Sequence, residues 1–126
     1  MNYLLVALGG ALGSALRYLT VNVSGRLFTG SDFPYGTLIV NVTGCFVIAF
    51  LGALAAERIQ LSSECRLFLF TGVLGGFTTF SAFGYETFHL MKTSQAGPAV
   101  VNIGANLVLG LGAVYIGYLC GKNFPG

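Results

Sequence analysis

Asparagine, threonine, serine and arginine side chains embedded in apolar sequence are the groups in this chain that could do chemistry. Asn41 follows Thr37 by one helical turn, and Gly44 and Ile48 continue the same face at i+7 and i+11. Asn102 and Asn106 stand four residues apart in the last apolar run. A carboxamide offers two N–H donors and carries no charge. A track of such groups could bind an anion without the deep well that a fixed positive charge would create. The same groups also join membrane helices through interhelical hydrogen bonds, and the residues alone leave both uses open. Phe80 and Phe83, three apart with Ser81 between them, add a further donor surface, because the edge of an aromatic ring is positive. Packing and lipid contact are the ordinary uses of such rings. Arg17 lies well inside the first apolar run, where a charge must reach water or a partner. It could draw anions to a vestibule, or it could snorkel or bind carbonyls.

These groups converge on one irregular segment, Gly72 to Phe83, which reads G-V-L-G-G-F-T-T-F-S-A-F. Gly75 and Gly76 are flexible positions, and the β-branched Thr78 and Thr79 suit a non-helical turn. A helix broken at membrane depth is tolerated only where protein or a water-filled cavity satisfies the freed backbone, so the break is a candidate ion or substrate site.

Composition sets the elements that must hold this site. Hydrophobic residues make up 55% of the 126 residues and charged residues 8%, with a mean hydropathy of +0.81. Too little polar surface remains to coat a soluble domain, so the chain is expected to be an all-α integral membrane protein. At roughly 20 residues per span there is room for four helices in a single domain, 1–126. The apolar runs are Leu4 to Val23, Gly36 to Ala56, Leu67 to Met91 and Ala99 to Cys120, with loops at Ser24 to Tyr35, Gln60 to Arg66 and Lys92 to Pro98. The N-terminal M-N-Y-L-L-V-A-L lacks the positive region of a cleavable signal and is expected to remain in the mature protein.

Nineteen glycines, about twice the ordinary share, include the pairs Gly9/Gly13, Gly72/Gly76 and Gly117/Gly121 at the spacing that lets membrane helices approach closely. Cys45, Cys65 and Cys120 lack metal or redox spacing, and the lone His89 has no second ligand beside it. No nucleophile and base, paired carboxylates or cofactor loop stands at recognisable spacing, so an enzyme is not expected. The six basic residues are scattered, which implies no nucleic-acid partner.

With four spans, Arg58, Arg66 and Lys122 fall on one side and Arg26 and Lys92 on the other. The excess of one sets almost no direction by the positive-inside rule. The chain could insert both ways, and opposite orientations could pair as an antiparallel two-fold dimer.

Three stretches, G-G-A-L-G-S-A-L-R-Y at Gly9 to Tyr18, G-T-L-I-V-N-V-T-G-C-F at Gly36 to Phe46, and Gly72 to Phe83, occur in this order in a four-span chain. In this the sequence resembles the Fluc fluoride channels, also called the CrcB family, over nearly its whole length. The resemblance implies a passive, fluoride-selective channel of the microbial inner membrane, built as an antiparallel dual-topology homodimer with two pores. It implies a structural sodium ion at the dimer centre, held by backbone carbonyls of Gly75 and Thr78, with Thr37 nearby. It places Asn41, Phe80, Ser81 and Phe83 along the anion pathway and Arg17, with Thr37, in the vestibule. On the fourth span Asn102, Asn106 and then Gly110 occupy spacing where the family often carries hydroxyls, so these match by character only. A selective fluoride path needs close donors and few fixed charges, which suits the composition.

The rival reading is a small dual-topology proton-coupled multidrug exporter, which needs a membrane-embedded carboxylate. The first two spans contain none, and Glu86 lies toward the end of the third. A structural membrane subunit would explain the glycines but not the converging asparagines, arginine and break.

Overall fold

The computed structural model describes residues 1–125. Helix α1 runs Asn2–Leu27 and α2 runs Tyr35–Glu57. The third apolar stretch contains α3 (Ser63–Arg66), a π-helical segment (Leu67–Leu74), α4 (Gly75–Phe77) and α5 (Phe80–Lys92), and the last helix is α6 (Ala96–Lys122). Four helical stretches, Asn2–Leu27, Tyr35–Glu57, Ser63–Lys92 and Ala96–Lys122, are long and apolar enough to cross a membrane. All regular structure among the described residues is helical.

The helices outrun the apolar runs at both ends. Residues Ser63 to Arg66, expected as a polar turn, are helical because the Ser62 side chain accepts a bond from the Cys65 N–H at 3.1 Å and caps the first turn. Pro98 falls within the first turn of α6, where its missing N–H would have had no helical partner. Ser24, expected in the first loop, is buried in α1, its hydroxyl donating to the Thr20 carbonyl at 2.8 Å.

Buried apolar side chains are few: Val40, Ala53, Leu54, Leu74, Leu90 and Ala99. Long runs of Leu, Val, Ile and Tyr face outward instead, the distribution expected when lipid is the solvent. Packing is therefore carried by backbone proximity. Gly9 and Gly13 on α1 meet the π-helical segment, where a Cβ on Gly9 would come 2.5 Å from the Phe68 carbonyl oxygen and one on Gly13 would collide with that of Val73. A Cβ on Gly76 would likewise stand 2.7 Å from the Gly10 carbonyl oxygen. On the other side α2 packs along α6, and a Cβ on Gly121 would stand 2.5 Å from the Phe50 carbonyl oxygen. The three thiols are free.

Candidate functional site

Backbone helicity stops at two residues. Thr78 (φ −84°, ψ 158°) and Thr79 (φ −151°, ψ 120°) are extended, and α5 restarts with Thr79 as its cap, its hydroxyl accepting from the Ala82 N–H at 3.1 Å. The expected flexible glycines are not where the chain departs from the helix. Gly75 is right-handed helical (φ −61°, ψ −38°) and its neighbourhood is open, the Phe70 oxygen 3.7 Å from a Cβ built there. Gly76 serves close approach to Gly10, and the β-branched threonines carry the extended backbone. Ahead of the short α4 turn the ladder loosens into π-helix, with the Gly75 N–H donating to the Phe70 carbonyl, a wide turn often found at functional positions.

Asn41 holds this extended backbone in place. Its Oδ1 accepts from the Thr79 N–H at 2.9 Å and its Nδ2 donates to the Thr79 carbonyl at 3.0 Å. Both polar groups of an extended residue are thus satisfied by one side chain from α2, which is what a break within an apolar environment requires. Because the Thr79 N–H is drawn to Asn41 and the Ala82 N–H to the Thr79 hydroxyl, the Gly75 and Thr78 carbonyls lose the i+4 donors a continuous helix would give them.

The amides of α6 join this bridge. Asn41 Nδ2 also donates to Asn106 Oδ1 at 3.2 Å, and Asn106 Nδ2 donates to the Oδ1 and the carbonyl of Asn102 at 3.0 and 2.8 Å. Asn102 is 1% exposed and donates to the Thr87 hydroxyl at 2.9 Å. Thr87, buried on α5, does not stand out in the sequence; a threonine on the helix following Phe83 has no local signature of its partner 15 residues further on. Ser81 is exposed, its hydroxyl 3.3 Å from that of Thr79.

Two spaces meet at Thr79. A cavity of about 340 Å³ is bordered by Asn41, Gly44, Cys45, Thr78, Thr79 and Phe80. Its depth depends on Gly44, because a Cβ there would run into the Thr78 methyl. A second cavity of about 370 Å³ is bordered by Arg17, Tyr18, Thr37, Thr79, Ala82 and Glu86. Arg17 Nε and Glu86 Oε1 are buried with no hydrogen-bond partner, so this space is polar enough to take water or an ion. The phenyl rings of Phe80 and Phe83 stand 5.6 Å apart at 54°, and Phe80 is 82% exposed at the rim of the first cavity.

Among the described residues, no group of three or more His, Cys, Asp or Glu side chains could hold a metal ion. His89 borders a separate cavity with Asp32, Tyr85 and Glu86.

Similarity to known proteins covers the same stretches. The profile of the family described as CrcB-like protein, Camphor Resistance (CrcB), matches residues 4–118. A protein of Thermus thermophilus named fluoride-specific ion channel FluC is 51% identical over 125 residues, covering 98% of each chain. One of the same name from Agrobacterium fabrum is 47% identical over 123 residues, again 98% of each chain, and one from Helicobacter pylori is 46% identical over 125 residues, 98% of this chain and 95% of the relative.

Proposed function

Because this chain belongs to the CrcB-like family, we propose that it is a fluoride-selective ion channel, as its relatives are named, which lets the anion leave the cytoplasm passively across the inner membrane. The observation that carries this reading is the break at Thr78 and Thr79, bridged by Asn41 and shared between a cavity with an arginine and one rimmed by phenylalanine. A conversion of substrate is no part of it.

Arg17 and Thr37 form the vestibule, where the guanidinium raises the local anion concentration. Beyond Thr79 the path runs along Asn41, Phe80, Ser81 and Phe83, with Asn102 and Asn106 behind Asn41 as its polar wall. Hydroxyls and ring edges replace part of the hydration shell of fluoride without a fixed charge at the narrowest point. The exposed Phe80 completes the path in a second copy of the chain, so the working unit is an antiparallel homodimer with two pores. The break lies near the bilayer midplane, where the two copies cross.

A sodium ion at the dimer centre fits the oxygen donors available. Gly75 and Thr78 would supply the carbonyls that the diverted Thr79 and Ala82 amides leave free, and backbone oxygen is the ligand type that suits a hard cation. Its positive charge would brace two breaks facing each other.

Efflux from liposomes carrying the purified protein tests the reading, with potassium permeability supplied separately and fluoride compared with chloride. Rapid loss of fluoride with negligible loss of chloride is the expected outcome. Retention of both anions by well-incorporated protein would overturn it, and cationic dye uptake driven by a pH gradient would put the proton-coupled exporter in its place.

A further inference from the structure

The polar groups around the break form a ring, hydrogen-bonded from Thr79 to the Phe83 carbonyl and closed by the first turn of α5, whose direction is fixed. A backbone N–H can only donate, so Asn41 must turn its oxygen to Thr79, 2.9 Å away. Its Nδ2 is then left for the Thr79 carbonyl and for Asn106. Asn106 must present oxygen to Asn41, which turns its own Nδ2 to the oxygens of Asn102. Asn102 in turn is left with nitrogen facing the Thr87 oxygen at 2.9 Å, and the Thr87 hydroxyl donates to the Phe83 carbonyl at 2.7 Å. The sequence of donors starts at Thr79 and returns, through α2 and α6, to α5 four residues beyond that cap. Each amide can take one orientation only, because reversing any of them sets donor against donor or acceptor against acceptor.

The geometry points to Thr87 and Asn102 as positioning residues of the anion path. Neither needs to touch the ion. They secure the far end of the chain whose direction Thr79 sets, keeping the Asn102 oxygen on Asn106 and the Asn106 oxygen on Asn41, and through Asn41 they hold Thr79 extended and the Phe80 and Phe83 rings at their angle to the path. This inference rests on the channel reading above. Chains of aligned hydrogen bonds polarise one another, so the ring acts as a unit: opening it at Thr87 loosens Thr79 although the two residues are not bonded to each other.

Thr87→Val keeps the shape and removes the hydroxyl, leaving the buried Asn102 amide without its acceptor; Thr87→Ser keeps the hydroxyl and loses a methyl. The expected result in the liposome assay is fluoride efflux lowered at least about tenfold in Thr87→Val and restored to within about threefold in Thr87→Ser, since a buried donor left unpaired is the larger loss. Chloride leak should rise in the valine variant, a change that lower protein stability alone would not produce. Equal fluoride flux in the two variants, whether high or low, would overturn the proposal. A double-mutant cycle of Thr87→Val with Asn41→Ala should fall well short of the product of the single effects, and a simple product would equally overturn it. The proton shift of the Thr79 amide reads the ring without transport. It should move upfield in Thr87→Val and Asn102→Leu, and no movement would overturn the ring even if wild-type protein failed to conduct fluoride and the channel reading fell with it.

Discussion

The two halves of the third membrane stretch, before and after the break, are held by opposite means. From Leu67 to Phe77 the chain lies against α1 through a glycine seam in which backbone touches backbone, Gly9 facing Gly72, Gly10 facing Gly76 and Gly13 facing Val73 and Phe77. From Phe80 onward the contact that matters is polar, running from Thr87 through Asn102 and Asn106 to Asn41. Lipid gives helices no hydrophobic reason to associate, so close packing and hydrogen bonds remain as the available forces. The seam is a matter of shape and takes no account of direction. The ring is a matter of direction and tolerates few chemical changes. A channel needs both, one to anchor the helix and the other to aim the side chains beyond the break.

Filling the seam is the severest test of this contrast. Gly13→Val would drive a side chain into the Val73 carbonyl, and the expected loss exceeds about 3 kcal/mol, because neither backbone can yield. Size-exclusion chromatography in detergent should show aggregated or absent protein; a monodisperse peak of normal yield would mean that α1 is not anchored in this way. Asn41→Asp attacks the ring while leaving size unchanged. A carboxylate still accepts from the Thr79 N–H but meets its carbonyl as a second acceptor, and it would place a negative charge in the proposed anion path. Fluoride efflux should fall at least about tenfold while the protein remains monodisperse, since the loss is of paired polar groups and not of volume. Wild-type efflux would remove Asn41 from the path. The smallest effect belongs to a glycine outside both devices. Nothing lies within 4 Å of a Cβ built on Gly112, so Gly112→Ala should change thermal stability by no more than about 1 kcal/mol. A collapse comparable to Gly13→Val would show that α6 carries a second seam, against another copy of the chain.

Much of this arrangement was legible in the residues. Scarce charge and four apolar runs require spanning helices, and polar residues such as Asn41 and Asn106 stand out because lipid would reject them alone. The irregular Gly72 to Phe83 segment was legible as a place where a regular helix is hard to sustain. Within it Thr78 and Thr79 leave the helix as their branching suggests, while Gly75, expected as a flexible position, keeps helical backbone. Local propensity pointed to the right segment, but the residue that departs is chosen by which N–H a distant side chain captures. Thr87 was missed for the same reason, since a hydroxyl bonding back within its own helix looks ordinary until Asn102 is placed beside it.

The residues in their order specify the solvent of this protein, the number of its spans and the identity of the groups that need partners, because burial in lipid and the 3.6-residue helical repeat act over neighbouring residues. Pairing was left to the folded arrangement. Asn41 finds Thr79 across 38 residues and Asn106 across 65, distances over which no spacing rule operates. The glycine seam and the packing of α2 on α6 bring them together, and the donor-only N–H of Thr79 then sets the direction of every amide in the ring.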